Sequence, residues 1–270
     1  IAAARADAEA TEALRADTAR VIAADVALAY VDLREAQARA AVAMRNLDQL
    51  REGSRIVAAL FDAGRGTEAD VISARTLELA TEANLPSFAA AERAAKNRLT
   101  TLLALAPGAL DGRLAQARGI PAMPQFVAVG DPAGLIRRRP DIRAAERDLA
   151  AATARIGVST ADLFPTVTFG ASLGTSATRS ADLDLGSAQS FSLGPALSWN
   201  ILNRGEVYAR IAQAEAQAVV RLATYQKVVL TALEEADTAL SSYVNEGRRL
   251  ALLRQAETAS RQAADLTRVQ

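Results

Sequence analysis

Pro165 divides two kinds of residue pattern, and that division restricts the fold more than any other feature of the chain. Upstream, Ile142, Ala145, Leu149, Ala152 and Ile156 recur at three- and four-residue steps, the stripe of a helix. Pro140 stands where a first helical residue belongs, because its missing N–H would have no helical acceptor there. Asp141 adds a carboxylate to the first turn, where the helix dipole favours it. Gly157 lies near the end, and Pro165 forbids continuation. Beyond Pro165 the period becomes two. Val167, Phe169, Ala171 and Leu173 fall on one side, and Thr166, Thr168, Gly170 and Ser172 on the other.

The same alternation returns over residues 191–200. Phe191, Leu193, Pro195, Leu197 and Trp199 alternate with Ser192, Gly194, Ala196, Ser198 and Asn200. A small, polar loop over 174–190 separates the two runs. Strands of about ten residues, tilted roughly 45°, span the hydrocarbon of a bilayer. Phe164, Phe191 and Trp199 lie at strand ends, where a membrane barrel carries its aromatic girdle. The pattern alone leaves a second reading open: a soluble hairpin whose apolar face lies on helices. Two strands cannot close a barrel, so a membrane location requires further strands.

Long helices account for most of the rest. Over residues 2–61 only Gly53 disfavours helix, and Val26, Tyr30, Leu33, Ala40, Met44 and Leu47 keep a three–four spacing. About sixty residues at ~1.5 Å each make a rod of roughly 90 Å. A compact globule of this length has a radius of gyration of about 18 Å, so an elongated protein is expected. A return helix is expected over 68–105, kinked at Pro86. A third long helix follows over 206–270, after a turn at Asn203–Arg204–Gly205. Residues 1–60 and 210–270 read as weak copies: with an offset of 210, Asp25 falls on Glu235, Val26 on Ala236 and Ala29 on Ala239. That suggests a duplicated hairpin.

Between the first two helices lies a turn, Phe61 to Asp70. Gly64 and Gly66 permit left-handed dihedrals, Thr67 can cap the next helix, and Asp70 stands at the capping-box position. Asp62, Glu68 and Asp70 therefore gather at a hairpin tip. They are either caps on a solvated turn or, with identical subunits around an axis, an acidic ring that favours cations. The run Arg137–Arg138–Arg139 reads as a phosphate or nucleic-acid contact, or as a salt-bridged cluster with Asp131, Asp141 and Glu146.

The inventory weighs against chemistry. The chain has no Cys and no His, which removes thiol nucleophiles, Cys/His zinc sites and the usual general base. Formal net charge is zero, so no overall field points to nucleic acid. No phosphate-binding glycine loop, dinucleotide fingerprint or nucleophile elbow occurs. We expect no enzyme activity and no catalytic, cofactor or metal site. Both ends fall inside helical patterns, so the chain reads as an excerpt of a longer protein.

Four stretches carry a resemblance: ADVALAYVDLREAQARAAVAMRNLDQL, LFDAGRGTEADVISAR, RRRPDIRAAERDLAAATARIGVSTADLFP and YQKVVLTALEEADTALSSY. They are similar to the outer-membrane efflux proteins, the TolC/OprM-like (NodT-type) ducts of Gram-negative bacteria. The resemblance implies a mainly α fold with a small β part. Long antiparallel helical hairpins would form an α-barrel, and strands would join a trimeric outer-membrane β-barrel. It divides the chain into a first-repeat hairpin (1–105, tip near 61–70), an inter-repeat linker (106–139), a helix before the strands (140–163), a strand pair (164–202) and a second descending helix (203–270).

By the same likeness the protein is the passive outer-membrane channel of a tripartite efflux or type I secretion-like system. The implied partners are two further copies in a homotrimer, a periplasmic adaptor, an inner-membrane pump of the RND type and outer-membrane lipid, but no nucleic acid. A lipid-bearing Cys upstream is part of the family picture. Asp62, Gly64, Thr67 and Asp70 become gate candidates at the periplasmic tip. Leu60 departs from the pattern, since many relatives carry Arg there. The alternative is a soluble coiled-coil scaffold or the periplasmic adaptor itself.

Overall fold

A computed structural model describes residues 1–124, 132–175, 189–199 and 201–269. The element order is α1 (Ala2–Asp62), α2 (Glu68–Glu82), α3 (Leu85–Leu102), α4 (Asp111–Leu114), α5 (Pro132–Arg138), α6 (Pro140–Ala161), β1 (Thr166–Thr175), β2 (Gln189–Ser198) and α7 (Arg204–Val269). The chain divides into two units. One comprises Ile1–Asp17 and Val129–Gln270, the other Thr18–Ala128. Parts of the expected linker, including Asp131, and of the loop between the strands lie outside the described residues, as do Asn200 and Gln270.

The first unit is held by alanine. Ala6, Ala10 and Ala13 on α1, Ala144, Ala151 and Ala152 on α6, and Ala232 on α7 are buried, joined by Ile142 and Val207. A methyl side chain loses no rotamer freedom on burial, and a small residue lets helix axes approach closely. Ion pairs flank these seams. Asp7 pairs with Arg155 at 2.6 Å, Glu9 with Arg147 at 3.4 Å, Asp162 with Arg210 at 3.3 Å and Glu235 with Arg139 at 2.7 Å. Arg139, just before Pro140, also holds Asp141 at 2.7 Å, so the basic run begins α6 with an ion pair. Arg137 and Arg138 occupy the last turn of α5.

In the second unit, Ala29 and Leu33 of α1 pack with Ala95 and Leu99 of α3 and with Leu110. Beside this core Arg34 is 2% exposed. Its Nη1 donates to Gln37 Oε1 at 2.7 Å and to the Gln116 carbonyl at 2.9 Å. Gln37 Nε2 in turn donates to Glu92 Oε1 at 3.2 Å and to the Leu114 carbonyl at 3.1 Å. Lys96 lies 2.7 Å from the same carboxylate oxygen, and its hydrogen bond holds Glu92 below the usual carboxylate pKa. The network ties α1 and α3 to the segment around α4.

The return path is two helices rather than one kinked helix. α2 ends at Glu82, and Pro86 falls in the first turn of α3, where its missing N–H removes no helical bond. Helix α3 then stops in a Schellman arrangement: the Leu105 N–H donates to the Thr100 carbonyl at 2.9 Å, and Ala104 N–H to Thr101 at 3.1 Å. Ala104 adopts φ of 52°, a left-handed conformation that an L side chain resists.

Three substitutions test this packing and backbone geometry. Ala151→Leu should destabilise the protein by about 1–3 kcal/mol, because a fully buried methyl site has no room for an isobutyl group. Arg155→Ala, which removes a partly exposed ion pair, should cost about 1 kcal/mol or less; chemical denaturation of both variants checks the order. Ala104→Gly should stabilise by about 1 kcal/mol through relief of the positive φ, read as a higher denaturation midpoint.

Candidate functional site

The strand ribbon is the first candidate. β1 and β2 are antiparallel, with Val167 opposite Leu197, Phe169 opposite Pro195, Ala171 opposite Leu193 and Leu173 opposite Phe191. These eight residues make one face. The other face sets Thr168 against Ala196, Gly170 against Gly194 and Ser172 against Ser192. None of the described residues covers the apolar face: Val167 is 66% exposed, Phe169 77%, Leu193 62% and Leu197 70%. A soluble hairpin lying on helices would bury them. On the polar face, the Ser172 and Ser192 hydroxyls hydrogen-bond to each other at 2.8 Å, and Ser190 donates to the Gly174 carbonyl at 3.2 Å. No charged residue stands within β1 or β2.

The three aromatic candidates take positions at the two ends of this ribbon. Phe164 precedes β1 and Trp199 follows β2, both beside the terminal Thr166–Ser198 pair. Trp199 Nε1 donates to the Leu163 carbonyl at 3.0 Å, fastening the exit of β2 to the turn after α6. Phe191 stands near the opposite end, opposite Leu173, and all three rings are exposed. Each strand has ten residues. At ~3.4 Å per residue and a tilt of ~45° that projects to about 24 Å, close to the apolar band of an outer-membrane barrel.

The hairpin tip is the second candidate, and its backbone explains its sequence. α1 closes in a Schellman motif: the Arg65 N–H donates to the Leu60 carbonyl and the Gly64 N–H to Phe61, each at 2.8 Å. Gly64 has φ of 71°, which only glycine adopts without strain. Gly66 meets a different constraint from its neighbour. It is not left-handed, but a Cβ there would stand 3.3 Å from the Phe61 backbone nitrogen. Thr67 then caps α2. Its Oγ1 accepts from the Asp70 N–H at 3.2 Å, while Asp70 Oδ2 accepts from the Thr67 N–H at 3.0 Å and from Thr67 Oγ1 at 2.6 Å.

These bonds, the hydroxyl first, hold the Asp70 carboxyl below its usual pKa. Asp62, Glu68 and Asp70 are all exposed. The structure therefore brings Gly64, Thr67 and Asp70 into one capped turn, with Asp62 in the last helical position of α1. Sequence reasoning missed the buried Arg34–Gln37 pair. Its signal was present, since residues 30, 33, 34 and 37 share one helix face, but only the apolar members of that face were read as a seam.

Among the described residues no helix is long and apolar enough to cross a membrane, which says nothing of strands. No cluster with metal-ligand composition occurs among them either.

Comparison with known proteins gives a consistent set of relatives. A family profile described as outer membrane efflux protein matches residues 133–270. Nodulation protein T of Rhizobium leguminosarum bv. trifolii is 38% identical over 236 residues, covering 87% of this chain and 50% of that protein. The solvent efflux pump outer membrane protein SrpC of Pseudomonas putida is 32% identical, covering 89% of this chain and 51% of that protein. The chain thus spans about half the length of the curated relatives it matches. Among solved structures, the outer-membrane channel OprN superposes with a TM-score of 0.86 at 41% identity, over 97% of this chain and 59% of that one. VceC of Vibrio cholerae gives a TM-score of 0.70 at 26% identity, over 89% and 57%. The chain belongs to the outer membrane efflux protein family.

Proposed function

We propose that the protein is the exit duct of a tripartite efflux system in the outer membrane of a Gram-negative bacterium, conducting substrates passively from the periplasm to the exterior. The observation that carries this is the ribbon: ten-residue strands, one uncovered apolar face, one small uncharged face and aromatic residues at both ends. The apolar face meets lipid, and the small face lines the lumen. Three copies close the barrel with strands beyond the two among the described residues, and a periplasmic adaptor joins the duct to an inner-membrane pump, of the RND type, which supplies the energy. The apolar face and the efflux roles of the relatives named above favour this over a scaffold or an adaptor.

Asp70 takes the gate role in this proposal. Around a threefold axis the tips bring three Asp70 carboxylates together at the periplasmic mouth. The capping box fixes each carboxylate in place and keeps it ionised. No ion pair from position 60 can neutralise the ring, because that position holds Leu.

In the full-length protein, Phe169→Arg should strongly reduce the amount that remains with outer membranes after a high-salt wash, since arginine on a lipid-facing strand costs about 2–4 kcal/mol at midplane. Ser172→Arg, on the opposite face, should leave membrane retention unchanged. Equal retention of both variants would refute the lipid-facing assignment.

Asp70→Asn keeps an oxygen for the Thr67 N–H but removes the charge, so cation preference in single-channel recordings should fall by roughly twofold. The pH dependence has a definite sign. A depressed carboxyl pKa leaves the charge and its capping contribution intact down through the ordinary carboxylate range, and both disappear as pH falls through the lowered value. Around the axis the other two carboxylates oppose that depression, so the midpoint reflects the balance of the two effects, while the sign is fixed: wild-type selectivity should fall as pH falls through the carboxylate range. Selectivity that does not fall on acidification, or unchanged selectivity in Asp70→Asn, would remove Asp70 from the gate.

A further inference from the structure

A groove of about 630 Å³ opens in the helical unit beside the buried Arg34 network. Arg34, Arg113 and Arg118 line it on the polar side, and Tyr30, Leu99 and Leu103 are among its apolar walls. No carboxylate is among its described lining residues. The acidic residues nearby are committed elsewhere: Asp25 to Arg98 at 2.7 Å, Asp111 to Arg93 at 3.2 Å, and Glu92 to Lys96 at 2.7 Å. Arg113 and Arg118 have no ion-pair partner among the described residues.

Arg34 makes the imbalance acute. Its guanidinium is buried, yet its hydrogen-bond acceptors are a neutral amide and a backbone carbonyl. The Tyr30 ring lies 4.8 Å from its Cζ. Its Nε is closed off and has no acceptor at all. A buried cation without a counter-charge is costly, and a nearby anion relieves that cost. Two further guanidiniums on the same groove raise the local positive potential, and low-dielectric walls strengthen it.

We propose that this groove binds a small amphipathic carboxylate, its head among Arg34, Arg113 and Arg118 and its apolar body against Tyr30, Leu99 and Leu103. A purely inorganic anion would leave the leucine walls wet, and an uncharged apolar molecule would leave three cations uncompensated. The site does not depend on the duct reading, because it is built within one helical unit.

Equilibrium dialysis of the full-length protein in phosphatidylcholine nanodiscs, corrected with empty nanodiscs, tests it with 2-naphthoate as the probe. One saturable site per chain is expected. The uncharged isostere 2-naphthamide should bind at least about tenfold more weakly, as should naphthoate to the double variant Arg113→Ala, Arg118→Ala, since a charge-assisted hydrogen bond contributes on that scale. Both arginines are exposed, so the double variant should keep the wild-type melting curve. Leu103→Glu, which builds a carboxylate into the wall, should abolish naphthoate binding. No saturable binding by the wild type overturns the proposal, and that is the outcome expected if an acidic segment of a second copy fills the groove. Equal binding of the amide, or unchanged binding by the double variant, overturns it as well.

Discussion

A ribbon of two strands cannot stand by itself in either solvent. β1 and β2 pair only with each other among the described residues, so each has an outer edge of unbonded N–H and C=O groups. In hydrocarbon every such group costs several kcal/mol. In water those edges are content, but Phe169, Leu173, Phe191, Leu193 and Leu197 stand exposed, and an isolated two-stranded hairpin is marginal at best. A closed sheet with lipid outside, as proposed above, satisfies both demands. The constraint reaches into the flanking elements. Pro165 must stop α6 before the ladder begins, and the Trp199 indole, bonded to the Leu163 carbonyl, holds the entry to β1 and the exit of β2 together where the helices take over.

The helices meet a different constraint with a different residue. Alanine combines the best helix propensity with no loss of rotamer freedom, so a long helix can bury a seam without weakening itself. The price is specificity, because one methyl group resembles another and a seam of alanines can slide. The flanking ion pairs of α6 answer this. Asp7–Arg155, Glu9–Arg147, Asp148–Arg221, Asp162–Arg210 and Glu235–Arg139 join residues far apart in sequence along its length. Each is partly exposed and contributes little stability. Their effect is on register, since a one-turn slip would part all of them together.

Much of this was legible in the residues. The change of period at Pro165, the start of α6 at Pro140, the Thr67–Asp70 capping box and the left-handed Gly64 all follow from local chemistry, and local chemistry is what a sequence displays. Three features were not legible, for related reasons. From sequence Pro86 reads as a kink within one helix, because a proline in the first turn of a new helix looks the same until the break at Ala83 and Asn84 is seen. Gly66 reads as a second left-handed residue, whereas its φ is not left-handed and its constraint is the close Phe61 backbone. Arg34 was passed over because arginine in a charged helix is ordinarily solvated. Its burial depends on Leu114 and Gln116, about eighty residues away in the chain.

The tip joins these two kinds of information in one residue. Asp70 is placed by a local rule, since the third residue of a capped helix closes the box. The same bonds that start α2 also orient its carboxylate and hold it ionised. A charge fixed by its own backbone costs nothing further to order when other charges are brought near it, which is the condition for preorganised electrostatics. The capping role and the proposed gate role therefore reinforce each other. They separate under substitution because asparagine retains the acceptor geometry without the charge. If Asp70 were only a cap, that exchange would be silent; if it were only a charge, loss of Thr67 would be. The geometry of the tip makes both exchanges consequential, through different observables.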